Sequence, residues 1–125
     1  MSELIYLATP YSHPDPAVRE KRFKAVNRVA AQLMGQGKFV YSPISHTHPI
    51  ALAGDLPKGW DFWDKYCRVM LERCTAMVVL MQEGWKESVG VTNEIKIAKE
   101  LGIPIIYLKE KLEFCGSSES LADGL

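Results

Sequence analysis

Several features that would assign a sequence to a specialised class of protein are scarce in this 125-residue chain. It has only three cysteines, none of them in a CxxC pair, which argues against a disulfide framework and against a cysteine-ligated zinc site. Neither charge sign dominates, because 15 lysines and arginines balance 15 aspartates and glutamates. Proteins that bind a nucleic-acid polymer usually carry a basic excess, so we expect no such partner.

Long hydrophobic runs are missing as well. No apolar stretch approaches the roughly 18 residues of a membrane span, and residues 1–7 lack the pattern of a signal peptide. We therefore expect a cytoplasmic protein with no membrane partner. The sequence does have the composition of a globular domain, with 47% hydrophobic and 24% charged residues. We expect a single domain over residues 1–125, in which residues 109–125 form a partly loose tail.

Short apolar segments alternate with segments of helical periodicity along the chain. The predicted strands are 4–8, 39–42, 76–81 and 105–108, and the predicted helices are 16–34, 60–74 and 91–101. Residues 43–59, which include Pro49 and Pro57, are predicted to form a long loop. Nearly continuous apolar strands are typical of a parallel sheet covered on both faces. The sequence thus predicts an α/β fold, a flavodoxin-like or Rossmann-like three-layer sandwich with a four- to five-stranded parallel sheet.

All three histidines fall in loops that follow predicted strands: His13, then His46 and His48. Ligands of an open α/β sheet bind beyond the carboxyl ends of its strands, so these are candidate site residues. One interpretation is a substrate contact by His13 or His46, a second is a metal site of three imidazoles, and a third is loop histidines without a role. No helical HxxxH pair and no carboxylate cluster supports the metal. We expect neither a metal nor an organic cofactor.

The loop at residues 84–90 follows the third strand and precedes a helix. Backbone N–H groups at a helix start favour an anion, and glycine permits close approach of a ligand, so Gly90 is a candidate contact. Ser88 either donates its hydroxyl to such an anion or caps the helix. The P-loop and dinucleotide-binding patterns are both absent, so these residues alone leave both interpretations open.

Glu94 is the most informative residue of the sequence. The apolar residues of the helix 91–101 share one face, and Glu94 lies in the middle of that face. Its carboxylate is expected to point at the sheet, either as a structural hydrogen-bonding group or as a catalytic one. Asp64, beside the apolar stripe of the preceding helix, is the candidate second carboxylate. Trp60 and Trp63 on that helix are typical of a core or an interface, although a nucleobase also needs such a surface.

Taken together, these segments resemble the nucleoside 2-deoxyribosyltransferase-like superfamily, which includes deoxyribosyltransferases and nucleoside 5′-monophosphate N-glycosidases. The resemblance begins at residues 5–11, IYLATPY, which are similar to the first strand and substrate loop of that superfamily. It is strongest at residues 84–94, GWKESVGVTNE, and it extends to Leu108. Within the superfamily, the sequence resembles a small bacterial branch.

The resemblance implies a role for each matching residue. Glu94 would be the nucleophile that attacks C1′ of the sugar, and Tyr6 would hold its carboxylate. A serine at the position of Ser88 accompanies 5′-monophosphate hydrolases, whereas an aspartate accompanies transferases of free nucleosides. Ser88 and Gly90 would therefore hold a 5′-phosphate, which an aspartate would repel. The other predicted substrate contacts are Thr9, Tyr11, Ser12, His13 and His46.

One position departs from the superfamily pattern. The aspartate that assists proton transfer to the leaving base aligns with Cys67, and a neutral thiol is a poor replacement for it. Asp64, one turn away, is the candidate substitute. The leading hypothesis is cleavage or transfer at the N-glycosidic bond of a (deoxy)nucleoside 5′-monophosphate. The alternatives are a nucleotide-binding module without turnover and a metal hydrolase that uses the histidines. The resemblance also implies a homo-oligomer, a dimer or an assembly of dimers, in which a neighbouring subunit closes the site.

Overall fold

The computed structural model describes residues 2–57 and 59–109. Within these residues the elements are β1 (Ile5–Ala8), α1 (Pro16–Gly35), β2 (Val40–Tyr41), α2 (Pro43–Gly54), α3 (Trp60–Leu71), β3 (Ala76–Met81), α4 (Val89–Leu101) and β4 (Ile105–Lys109). Lys109 ends β4, and the rest of the predicted loose tail, residues 110–125, lies outside the described residues. None of the helices over this part of the chain combines the length and the apolar character that crossing a membrane requires.

The four strands run parallel in one sheet, in the order β2-β1-β3-β4. The register pairs Tyr6 of β1 with Tyr41 on one side and with Met77 on the other. The chain passes from β1 to β2 at one edge and then crosses to β3 on the opposite side of β1. Such a reversal creates a crevice at the carboxyl ends of the two strands that flank it. The predicted α/β fold with a flavodoxin-like parallel sheet is confirmed.

Side chains of the strands alternate between two cores, one on each face of the sheet. Ile5 and Leu7 face α1, whereas Tyr6 and Ala8 face α3 and α4. The buried residues that complete the core beside α1 are Val26, Val29, Ala30, Leu33, Val78, Leu80 and Leu108. Those that complete the opposite core are Leu71, Cys74, Met77, Val79, Val91, Ile97 and Ala98. Because helices cover both faces, the central strands are apolar throughout, and the alternation aims Tyr6 at α4.

Helix α1 begins where the sequence predicts. Asp15 precedes it in an extended conformation, and its Oδ1 accepts a hydrogen bond from the Ala17 N–H at 2.9 Å. Pro16 occupies the first helical position, where a missing N–H costs no helical hydrogen bond.

The predicted loop over residues 43–59 is wrong for most of its length. Pro43–Gly54 form α2, so His46 and His48 lie on a helix. The first proline of α2 suits a helix start, whereas Pro49 in the interior removes one backbone donor. The helix nevertheless continues to Asp55, which ends it with a φ of 53°. Packing of α2 against α1 and β1 overrides the local preference of the sequence.

Gly84 is required by the geometry of the loop after β3. Its φ is +91°, and a Cβ at this position would lie 2.7 Å from Nη2 of Arg22. Arg22 donates from Nη1 to the Ser12 carbonyl at 3.0 Å and from Nη2 to the Glu83 carbonyl at 3.0 Å. Arg22 thus ties the loop after β1 to the loop after β3, and Gly84 leaves room for this link.

Replacing Gly84 with alanine is expected to lower the free energy of unfolding by about 1–3 kcal/mol, because the new methyl group strains the backbone and displaces Arg22. Urea denaturation measures the loss. Gly35→Ala is the matched control, since Gly35 is helical and a Cβ there meets no atom within 4 Å. Equal stability of the two variants would contradict the prediction.

Candidate active site

A cavity of about 250 Å³ lies beyond the carboxyl ends of β1 and β3. Its walls are the loop after β1, helices α2 and α3, and the first turns of α4. The predicted site residues that line it are Thr9, Tyr11, Ser12, Ser88, Gly90 and Glu94. Tyr6 contacts Glu94 from the sheet. The fold therefore brings seven of the ten predicted residues together at one place.

Glu94 lies in the second turn of α4 and is buried, with 6% of its surface exposed. Its carboxylate accepts a hydrogen bond from the hydroxyl of Tyr6, which is fully buried. The strand alternation that aims Tyr6 at α4 and the helical periodicity that turns Glu94 toward the sheet produce this contact. The inward orientation that the sequence predicts for Glu94 is confirmed.

Burial is the main influence on the acidity of this pair. Removal from water raises the pKa of Glu94 to about 7 from an ordinary 4.5, and the hydrogen bond from Tyr6 limits that rise. Burial also raises the pKa of Tyr6 well above 10, and the nearby charge of Glu94 adds to the rise. Tyr6 therefore remains a donor, and Glu94 is the member of the pair that changes charge near neutral pH.

Cys67 of α3 lines the cavity and interacts with both groups. Burial raises the pKa of its thiol to about 12, and the charges of Glu94 and Asp64 add to that rise. The thiol is consequently neutral at physiological pH and is a weak acid. Cys67 is therefore a poor proton donor, at the position where the resemblance implies an aspartate.

The first turn of α4 offers hydrogen-bond donors to the cavity. Ser88 caps the helix, because its Oγ accepts a hydrogen bond from the Val91 N–H at 3.1 Å. A hydroxyl that accepts one hydrogen bond retains a proton with which to donate another. The N–H groups of Val89 and Gly90 begin the helix, where no helical carbonyl precedes them by four residues. Such a set of donors at a helix start favours an anion.

Two indole rings contribute a flat apolar wall. Trp60 and Trp63 of α3 both line the cavity, and Nε1 of Trp63 donates to the Pro57 carbonyl at 2.8 Å. This hydrogen bond fixes the orientation of the ring. The helical pattern favours a core or interface position for both residues, because a core and a cavity wall have the same apolar periodicity. Trp60 does pack against the core beside α3 and α4, and both residues also line the cavity.

Gln82 braces the loop after β1 and is not among the residues predicted from the sequence. It is 3% exposed, and its Nε2 donates to Oγ1 of Thr9 at 2.7 Å and to the Arg22 carbonyl at 3.1 Å. These bonds connect the ends of β1 and β3 to α1. A polar residue directly after an apolar strand is the only sign of this role in the sequence.

Three predicted site residues do not line the cavity: Asp64, His13 and His46. Asp64 is half-buried on α3, and its charge contributes to the raised pKa of the Cys67 thiol. His13 is exposed, and its Nδ1 accepts a hydrogen bond from the Asp15 N–H at 3.0 Å, at the start of α1. His46 is exposed on α2. Asp64 therefore acts on the site through its charge, and the two histidines lie elsewhere.

The histidine that lines the cavity is His48, which is 6% exposed. Its inward position depends on α2, which the sequence does not predict. Nothing in the sequence therefore distinguishes His48 from His13 and His46 as the histidine of the cavity. Across residues 2–57 and 59–109, no group of three or more His, Cys, Asp or Glu side chains is arranged to hold a metal ion. The described residues therefore offer no ready set of ligands for the hypothesis of a metal hydrolase.

No curated protein matches the sequence. Residues 3–110 match a protein family that is described as Domain of unknown function (DUF1937). The matched range includes all four strands and every residue of the cavity wall. The chain therefore belongs to the DUF1937 family.

Proposed function

We propose that the protein cleaves or transfers at the N-glycosidic bond of a (deoxy)nucleoside 5′-monophosphate, with Glu94 as the nucleophile. The observation that carries the proposal is the buried carboxylate of Glu94, held by Tyr6 in the wall of the cavity. Buried carboxylates are rare without a partner or a chemical task, and a strongly raised pKa is frequent at active sites. The resemblance to the nucleoside 2-deoxyribosyltransferase-like superfamily supports the same role.

The proposed reaction has two steps. A carboxylate oxygen of Glu94 forms a bond to C1′ while the bond from C1′ to the base nitrogen breaks, and the electron pair leaves with the base, which takes up a proton. Water then attacks C1′ and gives up a proton, and the ester bond to Glu94 breaks. If a second base takes the place of water, the same intermediate gives transfer. Tyr6 donates its hydrogen bond to the carboxylate before and after the covalent step.

The walls of the cavity suit the two ends of a nucleotide. Trp60 and Trp63 provide stacking surfaces for a base. Ser88, Val89 and Gly90 provide hydroxyl and N–H donors for a phosphate. No lysine or arginine is among the described residues that line the cavity, so the phosphate would be bound by neutral donors and the helix dipole. A chain of zero net charge can bind one phosphate in this way.

The experiment that tests the proposal is incubation with a panel of ribo- and deoxyribonucleoside 5′-monophosphates and with the same nucleosides without phosphate. Free base is measured by chromatography. We expect the wild type to release base from at least one monophosphate and the Glu94→Gln variant to release none, because an amide is not a nucleophile. Release that persists in the variant would overturn the role of Glu94.

Replacing Ser88 with aspartate is expected to raise KM at least tenfold for a 5′-monophosphate and to change it little for the free nucleoside. Aspartate keeps the helix cap but places a negative charge beside the phosphate. Ser88→Asn is the matched control, because asparagine also caps and is neutral. Equal KM values for the aspartate and asparagine variants would show that the phosphate binds elsewhere.

The second candidate function is a nucleotide-binding module without turnover. The neutral thiol of Cys67 favours it, since a leaving base that receives no proton leaves slowly. Saturable binding of a monophosphate without release of any base, measured by calorimetry and chromatography, would support the module over the enzyme.

We also propose a cytoplasmic homo-oligomer whose neighbouring subunit closes the cavity. Val89, which lines the cavity, is 63% exposed, and Phe62 on α3 is 48% exposed. Exposed apolar side chains on the cavity wall and on the adjacent helix are suited to burial by a second subunit. Sedimentation equilibrium tests this proposal, and a monomer at all concentrations would overturn it.

A further inference from the structure

Three side chains form a hydrogen-bonded chain that leads out of the cavity. The hydroxyl of Tyr11 lies 2.5 Å from Nδ1 of His48, and Nε2 of His48 lies 3.1 Å from Oε1 of Glu20. Tyr11 and His48 line the cavity, whereas Glu20 is on α1 and its side chain is 45% exposed. The chain thus connects a phenol at the candidate site to a carboxylate at the surface.

Glu20 determines which proton each ring nitrogen carries. A carboxylate only accepts hydrogen bonds, so Nε2 of His48 holds a proton and donates it to Glu20. In neutral His48, Nδ1 then accepts from the Tyr11 hydroxyl, and in protonated His48, Nδ1 donates to the Tyr11 oxygen. The second state frees the phenolic proton of Tyr11 for a group in the cavity. Phe23 packs on the imidazole with a ring separation of 4.3 Å, which holds the ring in place.

The proposed reaction needs a proton donor for the leaving base, and two candidates are poorly suited. The Cys67 thiol has a pKa near 12, and Asp64 does not line the cavity. Tyr11 does line it. Burial raises the pKa of its phenol as well, but unlike Cys67 it is the cavity end of a chain that reaches a second proton carrier, which can replace its proton as that proton leaves. The geometry therefore offers a donor that neither the sequence pattern nor the resemblance indicates.

We propose that Tyr11, His48 and Glu20 form a proton relay to the leaving base, an inference that depends on the proposed function above. As the bond from C1′ to the base nitrogen breaks, Tyr11 donates its phenolic proton to the base and receives the Nδ1 proton of protonated His48. In the second step, the water that attacks C1′ returns a proton to Tyr11, and His48 is protonated again. Tyr11 touches the substrate and is a catalytic residue, whereas His48 and Glu20 position and supply its proton.

The test compares two leaving groups. An ordinary guanosine 5′-monophosphate needs a proton on its base, whereas the N7-methylated nucleotide carries a positive ring that leaves as a neutral molecule. Tyr11→Phe and His48→Gln are each expected to lower the rate of base release from the ordinary nucleotide by about 100-fold or more, and to lower release from the methylated nucleotide less than about tenfold. Tyr66→Phe, which removes a half-buried hydroxyl outside the cavity, is the control and is expected to leave both rates nearly unchanged.

Each outcome separates the relay from the proposed function. A wild type that releases no base from this pair or from any monophosphate of the panel above would overturn the proposed function and the relay with it. An active wild type whose Tyr11→Phe and His48→Gln variants slow both nucleotides equally would overturn the relay alone, because a merely structural role affects both substrates. Tyr11→Phe removes only a hydroxyl, so it remains informative if His48→Gln fails to fold.

Discussion

Replacing Glu94 with glutamine is expected to stabilise the protein by roughly 3 kcal/mol at pH 8 and to leave its stability nearly unchanged at pH 4. Burial raises the pKa of Glu94 to about 7 in the folded chain, whereas the unfolded chain titrates near 4.5. Between these two values the folded state holds a proton that the unfolded state has lost. The free energy of unfolding of the wild type therefore falls as pH rises from about 4.5 to about 7, and it is level above that.

Glutamine removes this titration and keeps the contact, because its side-chain oxygen accepts from the Tyr6 hydroxyl as the carboxylate does. Urea denaturation at pH steps from 4 to 8 measures the difference between the variant and the wild type. Glu100→Gln is the matched control, since this residue lies on the same helix with 57% of its side chain exposed. A difference that does not change with pH would mean that Glu94 ionises as freely as a surface carboxylate.

The gain in stability is expected to accompany complete loss of base release. A buried carboxylate that costs folding free energy at neutral pH is typical of an active site, where activity and stability often conflict. Because the carboxylate is a nucleophile only after it loses its proton, we expect Glu94 to set the acid limb of the profile of kcat/KM against pH, with a midpoint near pH 7.

The sheet and the inward orientation of Glu94 are predictable from the sequence because each depends on one periodicity, whereas Tyr6 as the partner of Glu94 was implied only by the resemblance. Four continuous apolar segments indicate buried parallel strands. Glu94 lies in the middle of an apolar helical face, so its side chain must point toward the sheet on which that face packs. A strand residue alternates between the faces, so the side of the sheet on which Tyr6 lies follows once α4 is placed.

The walls of the cavity are harder to predict, because apolar periodicity does not distinguish a core from a cavity wall. Trp60 and Trp63 have the spacing of core residues; Trp60 packs against the core, and both also line the cavity. Pro49 in the interior of α2 argues against a helix at the level of local sequence. Tertiary packing offsets the cost of this proline, and local sequence does not reveal that packing. His48 and its contacts with Tyr11 and Glu20 depend on that helix, so the sequence alone does not predict them.

Replacing Cys67 with aspartate is expected to destabilise the protein by several kcal/mol at pH 8 relative to pH 5. The new carboxyl group would lie beside Glu94 and the Tyr6 hydroxyl in a site already removed from water. Two adjacent carboxylates cannot both ionise without strong repulsion, so the folded state retains a proton to higher pH than the wild type does. The unfolded chain loses both protons in mild acid, and stability therefore declines over a wider pH range.

Cys67→Ser is the matched control, because it removes the thiol without adding a charge, and the comparison is made by urea denaturation at pH 5 and pH 8. If Cys67→Asp and Cys67→Ser showed the same pH dependence, the side chain at this position would not interact with Glu94.

The Cys67→Asp variant also tests which residue donates the proton to the leaving base. If Tyr11 already supplies it, Cys67→Asp adds little to base release in the wild-type background but restores part of the rate in Tyr11→Phe. A large gain in the rate of base release in the wild-type background would instead mean that the natural chain has no effective acid. The added carboxyl group would then be donating a proton to the leaving base that Tyr11 does not donate.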